Sequence, residues 1–124
     1  TDMRLPIQYA LTFPHRFASP LGFLDLTKVS ELNFAEPDRV NFPCLELCYM
    51  AGRAGEGAPT VLNAANEVSV ASFLDRKISF LDIFELNSDM LSLHGHEKAD
   101  DIETILALDE KVRLSSVDWI AGRS

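Results

Sequence analysis

PTVLNAANEVSVASFL, residues 59–74, decides the fold. Val61, Leu62, Ala65, Val68, Ala71, Phe73 and Leu74 return at steps of three and four, the period of one helical face. Pro59 suits a first turn, and Arg76 and Lys77 are expected in the last turn, where cations favour the helix dipole. Into this apolar helix the sequence sets Asn63, Asn66 and Glu67, spaced so that all three share a face. As a catalytic trio they lack a nucleophile. Two amides and a carboxylate beside Ala64 and Ala65, which let another backbone come close, read instead as a structural latch. They would satisfy the N–H and C=O groups of an extended segment.

The neighbouring segments carry their own helix signals. PCLELCYMAG, from Pro43 to Gly52, predicts a helix with Leu45, Cys48 and Tyr49 facing inward and glycine at its end. Ser79 with Asp82 resembles a capping box for a helix from Phe80 to about Leu93, with Ile83, Phe84, Leu86, Leu91 and Leu93 available for burial. After the break HGHEKAD, Asp100 or Asp101 caps a last helix that runs to Trp119 and beyond. There Ile102, Ile105, Leu106, Leu108, Val112, Val117 and Ile120 keep the period. The expected class is mainly α, a small four-helix bundle preceded by a Pro-rich extended linker arm. Pro6, Pro14, Pro20 and Pro37 forbid one long helix in that arm. Leu5–Phe13 has room for two helical turns, and the alternating pieces LDL and LNF read as weakly paired strands.

A formal charge of −8 over 124 residues, with no dense Lys/Arg block, argues against nucleic acid or an anionic membrane as partner. No apolar run approaches the roughly 20 residues of a membrane span, and TDMRLP lacks the sections of a signal peptide. Cys44 and Cys48, one helical turn apart, read as buried free thiols in a reducing compartment. GRAGEG, residues 52–57, lacks the strand and spacing of a phosphate loop and reads as a helix stop. His94, His96 and Glu97 have no further ligand at a recognised spacing and read as solvated loop residues. Asp109 and Glu110 fall on the solvated face. From the residues alone, no catalytic, cofactor-binding or metal-binding group is expected in this chain.

TDMRLPIQYAL at 1–11, LDL and LNF, Pro37–Asp38, FPCLEL at 42–47 and LNAANEVSVASFL at 62–74 occur together in the order and spacing of one family. The chain resembles 1-deoxy-D-xylulose 5-phosphate reductoisomerase over nearly its whole length, with DIETILALDEKVR a looser match to that family's closing helix. The resemblance implies a piece of a homodimeric enzyme that uses NADPH and Mg or Mn to convert 1-deoxy-D-xylulose 5-phosphate to 2-C-methyl-D-erythritol 4-phosphate, in non-mevalonate isoprenoid synthesis. Its reaction is a skeletal rearrangement followed by hydride transfer. It implies residues 1–13 as the end of the catalytic domain, 14–41 as the linker and 42–124 as the C-terminal helical domain. Met3 would lie along the substrate pocket, while the NADPH-binding, metal and phosphate groups would lie upstream of Thr1. On this reading the chain supports catalysis by upstream domains, is inactive alone, and belongs in the cytoplasm, or in the plastid of an organism that has one. The alternative is a stand-alone helical interaction module.

Overall fold

The computed structural model describes residues 2–22, 24–28 and 31–123. The chain divides after Glu36 into two units.

In the first unit, helix α1 spans Arg4–Thr12 and a short 3-10 turn spans Leu26–Lys28. No strand occurs among the described residues, so the strands expected at LDL and LNF are not formed. The reason at LDL is local. Asp25 Oδ1 accepts the Thr27 backbone N–H at 3.0 Å and the Thr27 hydroxyl at 2.6 Å, closing a turn where a strand needed a neighbour's edge. After α1, the Thr12 hydroxyl donates to the Gln8 and His15 carbonyls at 2.9 and 3.0 Å, and the Gln8 amide reaches the Ala18 carbonyl at 3.2 Å. The Arg16 guanidinium lies 4.2 Å from the centre of the Tyr9 ring.

The second unit is a four-helix assembly: α2 Cys44–Ala54, α3 Ala58–Leu74, α4 Phe80–His94 and α5 Ile102–Ala121. Helix α3 touches each of the other three. Its small side chains explain that position: Ala58, Ala64, Ala65 and Ser69 are buried, so neighbouring helices come close, and Val61 fills the seam. Leu86 and Met90 from α4 and Leu108 and Val112 from α5 complete the core. Each large apolar side chain buried there contributes roughly 1.5–3 kcal/mol.

The helix ends are set by local chemistry. The Ser79 hydroxyl accepts the Asp82 N–H while the Asp82 carboxylate accepts the Ser79 N–H at 2.7 Å, the expected capping box. Asp101, rather than Asp100, caps α5 by accepting the Thr104 N–H at 2.8 Å. Helix α3 stops before Arg76 and Lys77, which do not lie in its last turn. Lys77 N–H donates to the Ser72 carbonyl and Arg76 N–H to the Phe73 carbonyl, both at 2.9 Å, with Arg76 at φ 61°. This is a Schellman stop, with arginine where glycine is usual.

Three sequence expectations about burial fail. On α2 the buried residues are Leu47 and Ala51, while Cys48 and Tyr49 are exposed and Leu45 and Cys44 half-buried. Glu46 and Arg53 mark one side of α2, and the face away from them is the one that carries Leu47 and Ala51. Both cysteines are free, though neither is buried. On the other helices Ala71, Leu74, Leu93, Ile102, Ile105, Leu106 and Val117 keep the period yet are exposed.

Candidate functional site

The polar cluster of α3 is held from two sides. Asn87, on α4 and only 2% exposed, donates its amide to Asn66 Oδ1 at 3.2 Å, and its Oδ1 accepts a long bond from the buried Ser69 hydroxyl at 3.5 Å. Ser69 also donates to the Asn66 carbonyl at 3.0 Å. On the α5 side, Arg113 donates to Glu67 Oε2 at 2.7 Å and grips Asp109 through Nε at 2.5 Å. Asn63 donates to Glu67 Oε1 at 3.3 Å. The Arg113 guanidinium, with help from the Asn63 amide, keeps the Glu67 carboxyl below the usual carboxylate range. Arg113 in turn is held charged by Asp109 first and Glu67 second.

Asn63, Asn66 and Glu67 are themselves exposed residues. Their bonds to other helices run to Asn87 on α4 and Arg113 on α5. Such a set can fix the angles between three helices. It has no nucleophile and no proton donor or acceptor poised near neutrality.

Met3 lies just before α1 and is 70% exposed. It sits inside a clamp: the Asp2 carboxylate accepts the Arg4 backbone N–H at 3.0 Å and its guanidinium at 2.6–3.2 Å. The Arg4 side-chain bond, above all, lowers the Asp2 carboxyl. The clamp organises the first turn of α1 and leaves the methionine facing outward.

The sequence reading misplaced His94. It lies in the last turn of α4, buried, with Glu97 at 2.6 Å and Ser115 at 3.2 Å, whereas His96 is exposed. Among the described residues no three His, Cys, Asp or Glu side chains converge as metal ligands. A groove of about 490 Å³ between α2, the start of α3 and the end of α4 is walled by Leu47, Met50, Ala51, Leu91, Gly95 and His96. Nothing in its lining is arranged for proton or group transfer. No described helix is long and apolar enough to cross a membrane.

Fold and site together define a helical domain with its own core and helix-to-helix polar ties, which follows in sequence a segment of very different texture. Comparison with known proteins says which one. The profile of the "DXP reductoisomerase C-terminal domain" matches residues 1–115, and the chain belongs to the 1-deoxy-D-xylulose 5-phosphate reductoisomerase family. It is 45% identical to that reductoisomerase of Shewanella woodyi over 119 residues, 96% of this chain and 30% of the relative. With the Synechocystis enzyme it shares 52% over 114 residues, 90% and 29% of the two chains. The solved reductoisomerase of Zymomonas mobilis in complex with NADPH superposes with a TM-score of 0.87 at 37% identity, covering 96% of this chain and 32% of that one. A further solved reductoisomerase, in complex with NADPH, fosmidomycin and magnesium, gives 0.80 at 36%, over 97% of this chain and 32% of that one. The chain therefore spans about 30% of the length of the curated relatives it matches.

Proposed function

We propose that this chain is the C-terminal portion of an NADPH- and Mg- or Mn-dependent reductoisomerase that converts 1-deoxy-D-xylulose 5-phosphate to 2-C-methyl-D-erythritol 4-phosphate, and that it supports catalysis without supplying catalytic groups. One observation carries the reading. In the first unit no described residue is buried, while Met3, Leu5, Ile7, Leu11, Phe13 and Phe17 are all more than half exposed. Apolar side chains exposed on this scale, beside a polar stripe of Arg4, Gln8 and Thr12 and with no buried residue beneath them, mark a piece of a larger core. The second unit, in contrast, has its own buried core.

In this proposal residues 1–13 finish the catalytic domain, 14–41 link it to the helical domain at 42–124, and Met3, presented by the Asp2–Arg4 clamp, lies along the substrate wall. The nicotinamide supplies the hydride and the metal polarises substrate oxygens. Among the described residues no three His, Cys, Asp or Glu converge on a metal, and in this proposal metal and NADPH are held by upstream NADPH-binding and catalytic domains, in an enzyme that works as a homodimer. Two free thiols suit the reducing cytoplasm as its compartment.

The test is NADPH oxidation with 1-deoxy-D-xylulose 5-phosphate and magnesium. This chain alone should give none. The same chain added to, or co-expressed with, the Zymomonas mobilis enzyme shortened by its matching portion should restore turnover. Turnover by the chain alone would refute the supporting role, and no turnover with both pieces folded would favour an independent interaction module.

A further inference from the structure

Helix α5 is apolar on two faces. One builds the core through Leu108 and Val112. The other carries Ile102, Leu106, Leu114 and Val117, which are 75, 63, 62 and 55% exposed. Ile102, Leu106, Glu110 and Leu114 stand four residues apart and form one row along the helix. Glu103, Glu110 and Val117 stand seven apart beside it. Single exposed apolar residues are ordinary on a protein surface, but this stripe follows most of a 20-residue helix, about 30 Å long. It has the length and the period that a second helix needs to pack on it.

The charges in the stripe decide between occupants. Glu103 and Glu110 are exposed, and neither carboxylate makes a hydrogen bond or ion pair among the described residues. The cations of α5 are engaged elsewhere, Lys111 by Glu97 and Arg113 by Glu67 and Asp109. Arg123, just past the helix, pairs with Asp82 and Glu85. A second copy laid antiparallel along the same stripe would bring Leu106 to Leu114 but also Glu110 to Glu110, and a parallel copy would repeat every like charge. Nucleic acid and anionic lipid meet the same repulsion. A helix with an apolar row of its own and with Lys or Arg seven residues apart satisfies both features. Glu103 and Glu110 lie about 10 Å apart along the axis, which is two turns of any α-helix.

We propose that the outer face of α5 is a docking surface for a basic amphipathic helix of a protein partner. Leu106 and Leu114 receive its apolar side chains, Ile102 and Val117 close the two ends, and Glu103 and Glu110 receive its cations. The apolar row supplies most of the affinity. The two carboxylates set the orientation, speed the encounter and reject an acidic helix of the same shape. This reading accounts for Ile102, Leu106 and Val117, which keep the helical period of α5 and yet stay out of the core. It does not depend on the proposed function.

The experiment is NMR on the 124-residue chain, titrated with a synthetic helix of roughly three heptads that carries one leucine row flanked by lysines seven apart, with alanine elsewhere. Backbone shifts should gather at Leu106, Glu110, Leu114 and Val117, with one peptide bound and a dissociation constant of about 10–100 µM. A twin peptide with glutamate at each lysine should bind at least about tenfold more weakly. E103K/E110K should weaken the lysine peptide by about tenfold, and L106S/L114S should prevent saturation up to about 1 mM. Shifts gathered elsewhere, as at Met50 and Leu91 in the groove, overturn the proposal. So do equal affinity for the twin, an E103K/E110K affinity equal to that of the intact chain, and no binding at about 1 mM peptide. Concentration-dependent broadening at the same residues in the chain alone would assign the stripe to a second copy and overturn it too. The substituted residues are exposed, so helix content should survive. Should E103K/E110K lose it, E110K takes its place: a weakening of about threefold is expected, and an unchanged affinity overturns the proposal equally.

Discussion

Asn66→Ala asks whether the α3–α4 amide pair holds the bundle. Asn66 Oδ1 is the acceptor for Asn87 Nδ2 at 3.2 Å, and Asn87 is 2% exposed. Truncation at 66 strands that donor, which costs about 1–3 kcal/mol for a buried group. Position 66 is exposed, so water reaches part of the gap and places the loss in the lower half of that range. Alanine is the better helix former by about 0.5 kcal/mol, which offsets some of it. Asn63→Ala controls for this gain: Asn63 is also exposed, on the same helix, and its side-chain bond to Glu67 is exposed and 3.3 Å long. We therefore expect N63A to be neutral or slightly stabilising and N66A to lie about 1–2 kcal/mol below it. With a urea slope of about 1–2 kcal/mol per molar, the midpoints separate by about 1 M. Trp119, packed on the core with its N–H 2.7 Å from Asp89, gives a fluorescence reading beside far-UV dichroism. Asn87→Ala and the double variant complete a cycle with a coupling of about 1 kcal/mol. Coincident N66A and N63A midpoints, or no coupling, would refute the reasoning.

Arg76→Gly should stabilise the second unit by about 0.5–1 kcal/mol, because arginine occupies φ 61° at the stop of α3; a lowered melting temperature would show that the side chain contributes more than the backbone costs. Acidification should destabilise it. Glu67 is lowered chiefly by Arg113, Glu97 by Lys111, Asp82 by Ser79 and Asp101 by the Thr104 N–H. Folded values below unfolded ones give stability that is present above about pH 4 and lost as pH falls through the folded values. The melting temperature should therefore drop between about pH 5 and 3, and a flat profile there would contradict these pairings.

What the sequence made legible was what is coded within a few residues. Ser79 with Asp82 is such a local device, and of the two candidate caps for α5 it is Asp101 that serves, with Thr104 as a partner the sequence reading did not name. The four helices of the second unit and the family followed from the apolar period and from LNAANE after FPCL, whereas the strands expected at LDL and LNF did not form. Illegible were the features that depend on which faces meet. Asn87 stands in ELNSDM, a polar stretch that reads as solvated surface until α4 is laid across α3. His94 looked like a loop residue because the helix end at Gly95 lies within HGH, and its partner Ser115 is 21 residues away. On α2 the buried face lies away from Glu46 and Arg53, a signal that the choice of Leu45 and Tyr49 as inward residues leaves out. Packing on α3 and α4 buries Leu47 and Ala51 there.

The most direct measurement is turnover by a covalent chimera, with this chain replacing the matching third of the Zymomonas mobilis reductoisomerase. NADPH oxidation driven by 1-deoxy-D-xylulose 5-phosphate and magnesium, within about tenfold of the parent rate, is what a supporting domain predicts. A folded, NADPH-binding chimera without turnover would contradict it.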